Sequence, residues 1–132
     1  MTKKDRPSEI RLAQATLYRL EYNIIKIVVH EGAVFDVNDM DEVIQARKKM
    51  VGDEQYSILT VPEKFSSITA EGRNYASKQE HIKNRVALAI VVHNLAHRIM
   101  GNFFIKFHQP NVPARLFTSE KKAMEWLRDQ MK

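Results

Sequence analysis

The stretch that decides the fold is Val86–Leu127, which reads VALAIVVHNLAHRIMGNFFIKFHQPNVPARLFTSEKKAMEWL. Its opening residues are apolar without a break, as in a strand covered on both faces, and apolar residues then recur at helical spacing. The stretch is predicted to contain, in order, a strand at Val86–Val92, a helix at Leu95–Phe107, a loop stiffened by Pro110 and Pro113, a short strand at Arg115–Phe117 and a helix capped by Thr118 or Ser119. This alternation indicates an α/β fold with a parallel or mixed sheet.

The residues before this stretch extend the same alternation. They are predicted to form a flexible or short helical arm at 1–15, a hairpin at 16–29 with its turn at Asn23, a helix from Asp36 or Asn38 to Gly52, a strand at Tyr56–Val61 and an irregular helix at 66–84. In the helix before Gly52, acidic residues come early and Arg47 and the lysines after it come late, which complements the helix dipole. We therefore expect one α/β domain over 16–132, with a mixed, mostly parallel sheet of about five strands and about four helices.

Composition places the chain among globular domains. It has 132 residues, of which 44% are hydrophobic and 28% charged, and a chain of this length buries a core without covalent staples. It contains no cysteine, which excludes disulfides, thiolate nucleophiles and cysteine-ligated metal sites. The charged N-terminus lacks the apolar segment of a signal peptide, and the longest run without a charge, Val86–His97, is too short to cross a bilayer. We therefore expect a cytoplasmic protein without a transmembrane segment.

The net charge of +5 is concentrated near the N-terminus. A basic surface permits nucleic-acid binding. Beyond residue 19, however, both signs of charge are interspersed, so a nucleic-acid partner is not expected.

No catalytic or metal-binding motif is recognisable. His93 and His97 are four residues apart, but Asn94 stands where a zinc protease needs glutamate, and no third ligand is specified. The glycines are too far apart to form a phosphate-binding loop, and no serine lies in a nucleophile elbow. We therefore identify no catalytic residue, metal or cofactor, and the sequence favours a non-enzymatic function.

The order of predicted elements is similar to that of a known superfamily. Over 16–131, two early strands followed by α, β, α, β, α, β, α resemble the STAS domain, also called SpoIIAA-like, the fold of sulfate-transporter cytoplasmic domains and anti-sigma-factor antagonists. Beyond this order, the chain is similar to a small, uncharacterised bacterial subgroup through GNFFIKF at Gly101–Phe107, followed by Pro110, Pro113, Arg115–Thr118, Ala123 and Trp126–Leu127. The resemblance implies a regulatory or interaction domain that binds a protein partner or a second copy of itself.

The STAS resemblance also singles out three hydroxyl side chains. In anti-sigma-factor antagonists, a serine in an Asp-Ser-Ser-Gly stretch at the start of the second helix is phosphorylated, and the matching segment here is Phe65–Thr69. The resemblance implies phosphorylation at Ser66, Ser67 or Thr69, where free N–H groups of a helix favour a phosphate. No aspartate precedes these serines and no glycine follows them, so the alternative is that Ser66 or Ser67 only caps the helix.

A candidate partner or ligand surface lies around the helix that starts at Leu95. It consists of Arg98, Asn102, Phe103, Phe104, Phe107 and Trp126. Leu95, Ile99, Phe103 and Phe107 are four residues apart and predict one packed stripe. Phe103 and Phe104 differ by about 100° in direction, so at least one of them faces something other than the same core, such as another helix, a subunit or a ligand. Core packing, contact with an apolar ligand, a lipid or a membrane surface, and base stacking all remain open interpretations of these aromatic residues.

Overall fold

The computed structural model describes residues 5–108 and 112–132, which alternate between strands and helices. The strands are β1 (Glu9–Arg11), β2 (Ala15–Arg19), β3 (Ile24–Val29), β4 (Val34–Phe35), β5 (Tyr56–Pro62), β6 (Ser67–Ile68), β7 (Arg85–Val91) and β8 (Ala114–Phe117). The helices are α1 (Val37–Val51), α2 (Ala70–Ala76), α3 (Gln79–Ile82), α4 (Leu95–His108) and α5 (Glu120–Met131). The elements predicted between Val86 and Leu127 occur where the sequence places them, although Pro110 lies outside the described residues.

Six of the strands form one mixed sheet in the order β1-β2-β3-β5-β7-β8. β1, β2 and β3 are antiparallel neighbours, whereas β3, β5, β7 and β8 are parallel to one another. β4 and β6 pair separately as a short parallel ribbon. The α/β class and the mixed sheet are therefore confirmed, but the sheet has six strands rather than the predicted five or so.

The additional strand is β1, which lies inside the segment predicted as an arm. Ile10 pairs with Leu17 of β2 and packs against the core, whereas Glu9 and Arg11 are exposed. β1 has three residues and only one inward side chain, so the sequence shows too little alternation to predict a strand there.

The segment 66–84, predicted as one irregular helix, instead contains the strand β6 and two short helices, α2 and α3, which brings the described helices to five instead of about four. Lys78 separates them because its backbone is extended, with φ −61° and ψ 140°. Within α2, a Cβ on Gly72 would lie 3.0 Å from the carbonyl oxygen of Phe35. Glycine at this position therefore lets α2 pack closely against β4.

The sheet carries helices on both faces. On its first face, α1 contributes Val43, Met50 and Val51 to a core with Leu17, Ile25, Ile58 and Leu88 of the sheet, and α2 and α4 pack beside it. On its second face, α5 contributes Ala123 and Leu127 to a core with Ile24, Leu59, Ala89 and Val91. In the described ranges, no helix is both long enough and apolar enough to span a membrane.

The starts of α1 and α5 follow the predicted capping chemistry. Asp36 is the N-cap of α1, and its backbone N–H donates to the carboxylate of Asp39 at 3.0 Å. Ser119 is the N-cap of α5, and its hydroxyl accepts from the backbone N–H of Lys122 at 3.3 Å. Each cap satisfies N–H groups that have no partner inside the helix.

Candidate functional site

A cavity of about 180 Å³ lies between the first face of the sheet and helices α1, α2 and α4. Most of the residues that line it are apolar, including Ile27, Ile58, Leu88, Val43, Met100 and Phe104. The polar side chains at its wall are those of Arg47, Thr60, Ser66, Ser67, Arg85 and His97. An apolar wall with a few polar groups is typical of a site for a small molecule.

The alternation of β5 produces much of the apolar wall. Ile58, Thr60 and Pro62 face the cavity, whereas Leu59 between them packs in the core on the second face. From Ile58 to Pro62 the strand rises about 13 Å, so the cavity follows most of the length of β5. Ala76 of α2 also lines the cavity, and its small side chain leaves the helix side of the space unfilled.

Two arginines lie at one end of the cavity, near the first residues of β5 and β7. The guanidinium carbon of Arg47 lies 4.4 Å from the centroid of the Tyr56 ring, and its Nη2 donates to the carbonyl of His81 at 3.2 Å. The guanidinium carbon of Arg85 lies 5.8 Å from the centroid of the same ring. Both arginines therefore bring positive charge to one end of an otherwise apolar space.

Burial changes the electrostatics of Arg47, whose exposed fraction is only 5%. Desolvation lowers the pKa of Arg47, Tyr56 acts in the opposite direction, and the neighbouring charge of Arg85 lowers the pKa further. A guanidinium nevertheless stays protonated in proteins. The cavity therefore keeps a buried positive charge.

The late position of Arg47 in α1 complements the helix dipole, but the side chain is buried rather than exposed to solvent. Arg47 lies on the same helix face as the buried residues Val43, Met50 and Val51. Those neighbours at positions −4, +3 and +4 are the sequence signal that identifies a buried arginine.

Ser66 and His97 lie at the other end of the cavity. His97 Nε2 is 3.2 Å from the carbonyl oxygen of Ser66 and 3.4 Å from its hydroxyl, and the His97 backbone N–H donates to Asn94 Oδ1 at 2.8 Å. The hydroxyl of Ser66 itself donates to the carbonyl of Glu63 at 2.7 Å. Because its proton points at that carbonyl, Ser66 is not arranged as a nucleophile with His97 as base. The contacts instead tie the loop before β6 to the start of α4.

The structure gives no support for a metal site in the part of the chain that it describes. There, no three His, Asp or Glu side chains are placed together to hold an ion. His93, four residues before His97, is exposed, whereas His97 is buried.

The three predicted phosphorylation residues have different surroundings. Ser66 is buried, and Ser67 is a half-buried residue of the cavity wall. Thr69, rather than either serine, is the N-cap of α2: its hydroxyl accepts from the N–H of Gly72 at 2.9 Å and donates to Asp36 Oδ1 at 2.9 Å. Phosphorylation of Thr69 would remove the hydroxyl proton that it donates to Asp36 and place a phosphate beside that carboxylate, which opposes the modification. Phosphorylation at these residues stays a prediction.

The predicted aromatic surface is divided between two sides of the molecule. Phe104 is half-buried and lines the cavity, whereas Phe103 is exposed. Trp126 lies across the sheet, where its ring centroid is 5.6 Å from that of Phe117. The side chain of Phe107 is outside the described part of the chain. Of these aromatic residues, the cavity therefore includes Phe104 but not Trp126.

Arg98 and Asn102 lie together on a different surface. With Thr118 and Lys122 they line a shallow depression between α4 and the end of β8. Both residues are exposed, and the depression shares no lining residue with the cavity.

The stripe on α4 that the sequence predicts to be packed is instead exposed. The exposed fractions are 72% for Leu95, 60% for Ile99 and 46% for Phe103. α4 turns its neighbouring face, with Met100 and Phe104, toward the cavity. Because both faces of this helix are apolar, its periodicity alone does not decide which of them is buried.

Comparison with known proteins places the cavity inside a defined family domain. The family model described as "Domain of unknown function (DUF7793)" matches residues 18–131. The chain belongs to this family. The DUF7793 match runs from β2 to the last residue of α5 and so includes every residue that lines the cavity. Searches of the curated proteins and of the solved structures each gave no match.

Proposed function

We propose that the chain is a binding domain for a small apolar or amphipathic molecule, which it holds in the cavity between the sheet and helices α1, α2 and α4. The observation that carries the proposal is the cavity of about 180 Å³ inside an otherwise packed α/β domain. A ligand that fills this space removes its apolar lining from water, which favours binding.

The size of the cavity sets the size of the ligand. An engineered cavity of about 150 Å³ lined by Leu, Ile and Phe stays dry and binds benzene. The cavity here is slightly larger and extends along β5, so it suits one ring or a medium-length alkyl chain.

Octanol is a suitable probe because it is apolar, uncharged and elongated. We expect isothermal titration calorimetry to detect octanol binding to the wild-type chain and at least ten-fold weaker binding to Ala76→Leu, which fills the cavity. Ala96→Leu, an exposed substitution on α4, is the matched control and should bind octanol like the wild type. Equal octanol affinity for the wild type and Ala76→Leu, or none for the wild type, would contradict the proposal.

A second candidate function is protein binding through α4, as the STAS resemblance implies for a regulatory domain. It is supported by the exposed stripe of Leu95, Ile99 and Phe103. An apolar row at every fourth position is the pattern by which a helix packs against a partner, and a row of this kind pairs with itself in a two-fold dimer. We therefore propose a second copy of the chain as the partner.

Sedimentation velocity tests this second candidate. The wild type and Ala96→Ser should be dimers at high protein concentration, whereas Ile99→Ser should be a monomer. A monomeric wild type, or an Ile99→Ser dimer of equal affinity, would remove the stripe as a self-association surface.

A further inference from the structure

The guanidinium of Arg47 is a buried charge with little of its bonding capacity used. Across 5–108 and 112–132 it donates one hydrogen bond, to the carbonyl of His81, and takes part in no ion pair. A guanidinium has five N–H donors. Burying a charge is costly unless it is paired and hydrogen-bonded, so the site is electrostatically incomplete as it stands.

A second positive charge, that of Arg85, lies beside Arg47. Arg85 lines the same end of the cavity and lies over the same Tyr56 ring as Arg47. The groups that act on the pKa of Arg47 in the described chain are Tyr56 and Arg85, and neither is a carboxylate. Two cations beside one apolar space form a site complementary to an anion with an apolar body.

We propose that the molecule bound in the cavity is an amphipathic carboxylate of medium chain length, with its head group at Arg47 and Arg85 and its alkyl chain along β5. This inference rests on the proposed ligand-binding function and specifies the chemistry of the ligand. The Arg47 guanidinium lies over the Tyr56 ring, and its planar fork of N–H groups suits the two oxygens of a carboxylate.

The direction of the ligand follows from the position of its two contacts. Arg85 is the first residue of β7 and Arg47 lies near the first residue of β5, Tyr56, so the head group belongs at the amino ends of these strands. From there the wall continues along β5 through Ile58, Thr60 and Pro62, which is mostly apolar, and the alkyl chain extends in that direction.

The test compares octanoate with octanol, which share the alkyl chain and differ in the charge of the head group. By isothermal titration calorimetry, the wild type should bind octanoate at least ten-fold more tightly than octanol. Arg47→Met should lose this preference, with its affinity for octanoate falling to that for octanol. Arg98→Met, which removes an exposed arginine outside the cavity, should keep the preference.

The outcomes separate this inference from the function on which it rests. Equal affinity of the wild type for both probes overturns the head-group assignment and leaves the binding function intact, whereas no binding of either probe overturns both. An undiminished preference in Arg47→Met also overturns the assignment. Arg47→Met should fold with a Tm no lower than that of the wild type, because replacing a buried charge with an apolar side chain is often neutral or stabilising. If it does not fold, Arg85→Met is judged by the same outcomes.

Discussion

Replacing Ala76 with leucine should stabilise the protein, because the added atoms enter the cavity. Ala76 is the last residue of α2, is 7% exposed and lines the cavity. The three added carbon atoms contribute about 2.4 kcal/mol at about 0.8 kcal/mol per buried methylene. The leucine side chain loses rotamer freedom when it is buried, which reduces this stabilisation by about 0.5–1 kcal/mol. The free energy of unfolding should therefore rise by about 1.5 kcal/mol.

Thermal unfolding followed by circular dichroism measures this change. For a chain of 132 residues the unfolding entropy is about 0.28 kcal/mol/K, so the Tm of Ala76→Leu should rise by about 5 °C. The same substitution at Ala123, which is fully buried in the packed core beneath α5, should lower the free energy of unfolding by about 1–3 kcal/mol. A lower Tm for Ala76→Leu as well would show that this space is closed in solution, and would refute the reasoning.

Three further changes test the local structure. Thr69→Val should lower the free energy of unfolding by about 1–2 kcal/mol, because it removes the cap of α2 and the hydrogen bond to Asp36. The control Thr69→Ser keeps the hydroxyl and should have a free energy of unfolding close to that of the wild type. Urea titration measures both values. Burial lowers the pKa of His81, so as the pH falls the unfolded chain binds a proton at this residue before the folded chain does. The contribution of His81 to the free energy of unfolding is therefore complete above pH 6.5 and should decline as the pH falls below that value. An unchanged decline in His81→Phe would contradict this. Gly72→Ala should lower the Tm despite its better helix propensity, because the new Cβ meets the Phe35 carbonyl, and a raised Tm would contradict the close contact.

The order of elements was predictable because long segments carry a clear local period. The uniformly apolar segment Val86–Val92 corresponds to β7, which spans Arg85–Val91, and the pattern at Tyr56–Val61 corresponds to β5. Strand pairing adds information that no local window contains. Three-residue β1 is visible only through its pairing with β2.

The candidate site was far less predictable because several distant segments build it. Ile27, Ile58 and Phe104 come from three separate elements and meet only after the sheet forms. On α4, a choice between two apolar faces depends on where α1 and α2 lie, which the sequence of α4 does not contain. Arg47 illustrates the same limit: its charge suggests solvent, while its position on α1 leads into the cavity.

The two outer strands of the sheet have a consequence for how copies of the chain meet. β1 is short, carries the exposed charges of Glu9 and Arg11 and follows Pro7 closely; β8 begins directly after Pro113 and exposes Arg115. Proline, charge and short length at a sheet edge hinder the addition of a strand from another molecule. The sheet is therefore protected against edge-to-edge aggregation, and a dimer of this domain should form through a helix surface and leave both sheet edges free.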